Sequence, residues 1–261
     1  MEKHYTFPDV TLLVTHYDRS LSLERLLSSF DRLNCSFGNI VVSDDGSKPE
    51  HVSKLKELQK HFAFKLITTP SNKGLGNNIN KGQDAVTTPY TLYVQEDFEP
   101  TDIFPSHFED ALSFLNADHT IDIARFYAYF SYPNLKPYGK GFSQMLYSFW
   151  DPNHLKFYYY SDHPHLRRSN FFDKFGRYPE GIKGDLTEYK MALSFIHKKG
   201  KGLFYNEFTK LFYQKNSAAE PSKMERANWR EGKNPVIGIL RSLYLPLRWL
   251  KNSADLYFFK G

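Results

Sequence analysis

The sequence predicts an α/β fold: an open, mostly parallel sheet flanked by helices, with an amphipathic C-terminal extension. Three observations predict it. The first 100 residues alternate apolar, β-branched runs with segments of helical periodicity, the pattern of repeated βα units. The opening run VTLLVTHY, residues 10–17, is apolar almost without interruption, as a strand covered on both faces requires. Two acidic clusters, Asp44-Asp45 and Glu96-Asp97, directly follow such runs. Open α/β sheets bind ligands at those strand ends.

The elements follow in order. After the first strand, Leu23, Leu26, Leu27, Phe30 and Leu33 recur at helical spacing. NIVVSDD is a second strand, and KPEHVSKLKELQKHF a helix with Pro49 in its first turn and Val52, Leu55, Leu58 and Phe62 inward. FKLITT is a third strand, GLGNNINKGQDAV a weaker helix, and YTLYVQ a fourth strand. Beyond residue 100, FPSHFEDALSFL reads as a helix, IDIARFYAYF as a strand and GLFYNEFTKLFYQ as strand-like. DLTEYKMALSFIHKKG is a helix with Tyr189, Ala192, Leu193 and Ile196 as its apolar stripe and Gly200 as its stop.

A chain of 261 residues with 41% hydrophobic content suits one large domain with an appendage. The expected division is a domain over 1–220, with halves 1–100 and 101–220, and a tail over 221–261. The charge is unevenly placed. Residues 221–261 hold 8 Lys and Arg against 3 Asp and Glu, leaving 26 of each sign in residues 1–220. The net +5 therefore belongs to the tail, and a neutral body argues against nucleic acid as partner. A lone cysteine, Cys35, allows no internal disulfide and fits a reducing compartment. The first apolar run is too short for a signal peptide or membrane span. The expectation is a cytoplasmic protein. The tail segment PVIGILRSLYLPLRWLKN is broken by Arg241, Pro246 and Arg248. Its apolar and basic residues suit either an anionic membrane surface or a helix packed on the domain.

Five pieces in order carry a resemblance: Thr15-His16-Tyr17-Asp18-Arg19 after the first strand, Asp44-Asp45-Gly46-Ser47, Asn72-Lys73-Gly74 with Asn80-Lys81-Gly82, Gln95-Glu96-Asp97, and HLRRSNFFDKFGRYPEG. Together they resemble the inverting family 2 glycosyltransferases, whose GT-A fold has a Rossmann-like sheet. The resemblance implies a nucleotide-sugar donor, most often a UDP-sugar, and a glycan or lipid-linked acceptor in surface polysaccharide synthesis. It places Thr15, Tyr17, Arg19, Asp44, Asp45, Asn72, Gly74, Asn80, Gln95 and Glu96 at the donor, and Arg167 and Arg168 at phosphate or acceptor. A carboxylate of the Asp44-Asp45 pair suits a base N–H, being acceptor-only when ionised. A capped strand-to-helix turn is the plainer reading of the same residues.

Asp97 matches the family's metal-binding aspartate, implying Mn2+ or Mg2+ as Lewis acid at the pyrophosphate. Gln95 replaces the family's first aspartate. If the strand persists, Gln95 and Asp97 share a face and Glu96 points away. The family's base is an aspartate following a glutamate at a helix start. Counting back from Gly200 puts Glu188-Tyr189 in that register, with Asp185 one turn earlier. Asp185, nearest the cleft at the helix start, is the preferred base and Glu188 the alternate, while their spacing also reads as an N-cap and capping box. The rival functions are a non-catalytic nucleotide-sugar binder and a nucleotidyltransferase. The latter is weakened because THYDRS lacks the glycines of a phosphate loop.

Overall fold

Each run read as a strand in the first 100 residues is one. The computed structural model describes residues 3–216, residue 220 and residues 235–259, the side chains of 235–243 excepted. The first half runs β1 (Tyr5–His16), α1 (Ser20–Arg32), β2 (Cys35–Asp44), α2 (Pro49–Leu58), β3 (Lys65–Ile67), α3 (Leu75–Gln83), β4 (Tyr90–Gln95) and β5 (Phe98–Pro100). Then come α4 (Phe104–Ala117), β6 (Ile123–Arg125), β7 (Leu135–Gly139), β8 (Phe142–Met145), a 3-10 turn (His154–Tyr159) and β9 (His165–Arg168). The described chain ends with α5 (Phe171–Phe175), α6 (Gly184–His197), β10 (Gly202–Tyr205), β11 (Phe212–Gln214) and α7 (Pro235–Tyr257).

Among the described residues, nine strands form one sheet in the order β3-β2-β1-β4-β9-β6-β10-β8-β7. β2 and β4 flank β1 in parallel, β3 extends β2 in parallel, and β10 runs parallel to β6. β9 is inserted antiparallel to both β4 and β6. Its first residue, His165, therefore sits opposite Tyr93 and Arg125, at the edge where β1, β2, β4 and β6 end.

Successive residues of β1 serve opposite faces, as the pleat demands. Leu12 and Val14 join the cluster under α1, α2 and α4, with Leu23, Leu55 and Phe108. Leu13 joins the cluster under α3, α5 and α6, with Ile79, Phe171 and Phe195. Both faces are thus dry, which explains the unbroken apolar run.

Two expected strands are shorter than predicted. Of IDIARFYAYF only Ile123–Arg125 is strand, because the backbone then turns to other partners: Phe126 N donates to Pro164 O and Ala128 N to Phe208 O. GLFYNEFTKLFYQ divides at a turn closed by Lys210 N to Glu207 O, and β11 pairs with β5 in a separate two-stranded ribbon.

The C-terminal helix packs back on the domain. Trp249 Nε1 donates to Asp151 O at 2.8 Å, and Leu256 is buried. Trp249 also lies over Lys156 Nζ at 4.8 Å, within a cage completed by Tyr147, Phe149 and Phe157. No described helix is long and apolar enough to cross a membrane.

Candidate active site

The carboxyl edge of β1, β2 and β4 gathers the acidic clusters, and each carboxylate there has protein partners. Asp44 closes β2 with no exposed surface. Its Oδ1 faces His16 Nδ1 at 2.8 Å and accepts from Ser47 Oγ, and its Oδ2 accepts from Ser47 N at 3.1 Å. His16 Nε2 accepts from Arg19 N at 3.2 Å, so the ring proton belongs on Nδ1, donating to Asp44. Burial pushes the Asp44 carboxyl up, but the His16 and Ser47 hydrogen bonds outweigh it and hold the group below its usual value. Asp45 accepts from Lys73 N at 2.8 Å and Gly74 N at 2.9 Å. The acidic pair thus holds its own turn and the following loop. Gly74, at φ 88°, adopts the left-handed backbone that lets it open α3.

Three further residues expected at the donor also have protein partners. The Thr15 hydroxyl is buried 3.0 Å from Tyr93 OH, because its position in β1 turns it into the layer under α3. Asn80 is buried and clamps the 178–180 loop, donating to Tyr178 O and Glu180 Oε1 and accepting from Tyr178 N. The Asn72 side chain accepts from Gly74 N at 3.1 Å, capping its own loop. Tyr17 is half-buried at the end of β1.

Arg19 is the centre of the edge. Its NH1 lies 3.3 Å from Asp97 Oδ2 and 3.7 Å from Glu96 Oε1. Its NH2 donates to Asn216 Oδ1 at 2.8 Å and Glu220 O at 3.1 Å. The Glu220 carboxylate in turn accepts from Leu21 N and Ser22 N at the start of α1, where negative charge is favoured. Glu96 does not point away from Asp97 as strand alternation predicts. β4 stops at Gln95 and a turn follows, so both carboxylates reach one guanidinium. Burial first, and Asp97 second, push the Glu96 carboxyl up to about 8.

Gln95 has the opposite orientation: its Nε2 donates to Asp162 Oδ2 at 3.1 Å. Asp162 is buried, and its backbone N donates to Glu188 Oε1 at 3.2 Å. Burial, then the neighbouring Glu188 charge, push the Asp162 carboxyl well above its usual range. Arg125 stands beside this pair, its guanidinium donating to Tyr158 O at 2.6 Å, and burial lowers its pKa to about 10. Asp162 escapes sequence reading because only the antiparallel insertion of β9 brings its preceding loop to this edge. On the other side, Gln214 Nε2 donates to Asp97 Oδ2 at 2.8 Å, and Tyr129 OH donates to Gln214 Oε1 at 2.7 Å. Gln214 therefore bridges Asp97 to Tyr129.

Of the candidate bases, only Glu188 reaches this group. Asp185 is exposed and accepts from Leu186 N at 2.9 Å. α6 begins one residue earlier than expected, with Lys183 at its cap, so neither the N-cap nor the capping box forms. Tyr189, in the aspartate register, faces α7, its hydroxyl 3.0 Å from both Asn252 Oδ1 and Asp255 Oδ2.

Arg167 and Arg168 also leave the site. Arg167 is wholly buried, donates to Gln83 Oε1 at 2.7 Å and lies over the Phe171 ring at 5.1 Å. Arg168 donates to the carbonyls of Leu115, Asp118 and Ile121, satisfying the end of α4. They lie on β9, whose course into the sheet carries both away from the carboxyl edge.

Residues 11–178 match glycosyl transferase family 2. The chain belongs to that family. A curated relative, poly-beta-1,6-N-acetyl-D-glucosamine synthase of Staphylococcus epidermidis, is 24% identical over 95 residues, 36% of this chain. The family 2 chain spans only 23% of that relative's length. S. aureus TarS 1-349 in complex with UDP-GlcNAc superposes with a TM-score of 0.60 at 15% identity, over 95% of this chain and 73% of the other. A mannosyltransferase from Pyrobaculum calidifontis, in complex with GDP-Man and Mn2+, superposes with a TM-score of 0.54 at 13% identity, over 97% of this chain and 72% of the other. The GT-A fold expected from the sequence is thereby shown.

Proposed function

We propose that this family 2 chain is an inverting glycosyltransferase that moves a sugar from a nucleotide-sugar donor, a UDP-sugar, to a hydroxyl of a glycan or lipid-linked acceptor in surface polysaccharide synthesis. One observation carries the reading. The Gln95–Asp162–Glu188 link seats a carboxylate from α6 beside the Arg19–Asp97 pair, so a base and a charge-stabilising group share one edge. Glu188 is the base: it takes the acceptor proton as the hydroxyl oxygen attacks the anomeric carbon, and the nucleotide diphosphate departs on the opposite face. Arg19 neutralises charge on the departing phosphates. The donor lies along the ends of β1, β2 and β4, over the turn and loop that Asp44 and Asp45 hold.

The donor set here fits a divalent ion shared with the donor rather than a cage. Among the described residues no three His, Cys, Asp or Glu side chains converge on one point. Arg19 and Gln214 both engage Asp97 Oδ2, which leaves Asp97 as a single carboxylate whose ion would be completed by substrate phosphates, as Mg2+ commonly is. Asp97 would hold Mn2+ or Mg2+, which supplies Lewis-acid stabilisation of the leaving diphosphate.

A panel of nucleotide sugars with Mn2+ tests the reading, scored by thermal shift and release of nucleoside diphosphate. Binding with release supports the transferase. Binding without release, with any acceptor glycan, supports the non-catalytic binder instead, a reading that Tyr189 in the aspartate register favours. Placement at the inner face of an anionic membrane belongs to the same proposal. Tyr244, Leu247, Leu250, Tyr257 and Phe258 are exposed apolar residues of the C-terminal segment, in the stretch that carries the chain's basic excess.

A further inference from the structure

A cleft of about 350 Å³ lies between α6, α7 and the 3-10 turn, lined by Phe157, Tyr158, Glu188, Arg248, Lys251 and Asn252 among others. Glu188 faces both ways: it lines this cleft and accepts from Asp162 at the donor edge. A ligand in the cleft thus meets the proposed base.

The chemistry of the walls is specific. The floor is aromatic, and faces of phenol and phenyl rings suit the C–H face of a sugar. Arg248 stands opposite Glu188's helix. Its guanidinium is 5.5 Å from the Tyr158 ring centre, and its NH2 donates to Tyr158 OH at 2.7 Å. Among the described residues no carboxylate pairs with Arg248. By contrast, Lys251 is paired with Asp255 at 2.6 Å. A planar guanidinium fixed by a tyrosine, with N–H donors left over, is built to receive an oxyanion through two parallel hydrogen bonds. It also presses on His154, whose pKa is lowered by burial and then by Arg248.

We infer that this cleft is the acceptor subsite and that it takes an anionic sugar, its ring on the Tyr158 side and its oxyanion on Arg248. The inference rests on the transferase reading. The oxyanion belongs to a sugar phosphate or to a uronic acid, and the test separates the two.

Ligand-observed NMR titrations of the full chain compare glucose 6-phosphate, glucuronic acid, glucose and inorganic phosphate. One of the two anionic sugars should bind about tenfold or more tightly than glucose, and more tightly than inorganic phosphate. Arg248→Gln should bring the ratio of anionic to neutral sugar near one, and Arg248→Lys should retain part of it. Should Arg248→Gln fail to fold, Tyr158→Phe keeps the test alive. It retains the ring, frees the guanidinium, and should lower the same ratio. A wild-type ratio near one, inorganic phosphate binding as well as either sugar, or a ratio unmoved by the variants overturns the inference. UDP binding to the wild-type chain, measured alongside, separates the failures. UDP bound with no anion preference overturns the subsite alone. No nucleotide bound under any condition overturns the transferase reading and the subsite with it.

Discussion

Glu188 Oε1 accepts the backbone N–H of Asp162 at 3.2 Å, across 26 residues of sequence. That bond turns Glu188 inward, while Asp185, one turn earlier, stays exposed and bonds only within its own helix start. Glu188→Gln keeps the acceptor oxygen for Asp162 but cannot take a proton. It should lower the transfer rate by about 10²–10⁴ with a melting temperature close to wild type. Asp185→Asn should transfer at near the wild-type rate. An inactive Asp185→Asn beside an active Glu188→Gln would reverse the assignment.

Asp97 and Arg19 make a second test. Asp97→Asn preserves shape and a partner for Gln214, so the circular dichroism spectrum should stay native while transfer falls by about 10²–10³ or more. EDTA should suppress the wild-type rate, and Mn2+ should restore it. A rate untouched by EDTA would leave Arg19 as the positive charge at the donor phosphates, and Arg19→Gln would then be the inactive variant.

The buried Asp44 predicts an acid limb of stability. Its folded pKa lies below the 3.8 usual for an aspartate side chain. Its contribution is therefore fully present above about pH 4 and is lost as pH falls through the folded pKa. Asp44→Asn should lower the melting temperature at pH 7, because the His16 and Ser47 donors lose their carboxylate. It should also flatten the fall below pH 4. Melting curves from pH 2 to 7 check both, and a variant with an unchanged acid limb refutes the assignment.

The exposed stripe of α7 predicts vesicle binding. Removing the tail is a poor probe, because Trp249 and Leu256 pack on the domain and their loss exposes core. Leu247→Glu with Leu250→Glu changes only exposed positions, at 65% and 56%. The full chain should pellet with phosphatidylserine vesicles and the double variant should not, both with native melting temperatures. A full chain that never pellets ends the membrane proposal.

Much of the frame was legible. VTLLVTHY, NIVVSDD and YTLYVQ declare strands because unbroken apolar runs bounded by turn residues have no other stable place. The acidic clusters declare the working edge because carboxylates at strand ends are costly to bury without partners. The roles inside that edge were less legible. Thr15, Asn72, Asn80, Asp44 and Asp45 have the right chemistry for a donor, and sequence does not show that each also has a protein partner. Arg167 and Arg168 looked like anion binders because sequence shows their charge and not the strand that buries them.

By itself the sequence determined the βα order, the helix faces, the position of the acidic turns and the basic bias of the tail. These follow from local periodicity and from the dislike of charge for a dry interior, both of which act over a few residues. Only the tertiary structure decided that β9 enters antiparallel, that Asp162 thereby meets Gln95 and Glu188, and that Gln214 and Arg19 converge on Asp97. It also decided that α7 closes a cleft over α6. Those contacts join residues 26 to 117 positions apart. They depend on which strand edges and helix faces remain open once the local elements have formed, a matter of global packing that no short window of sequence contains.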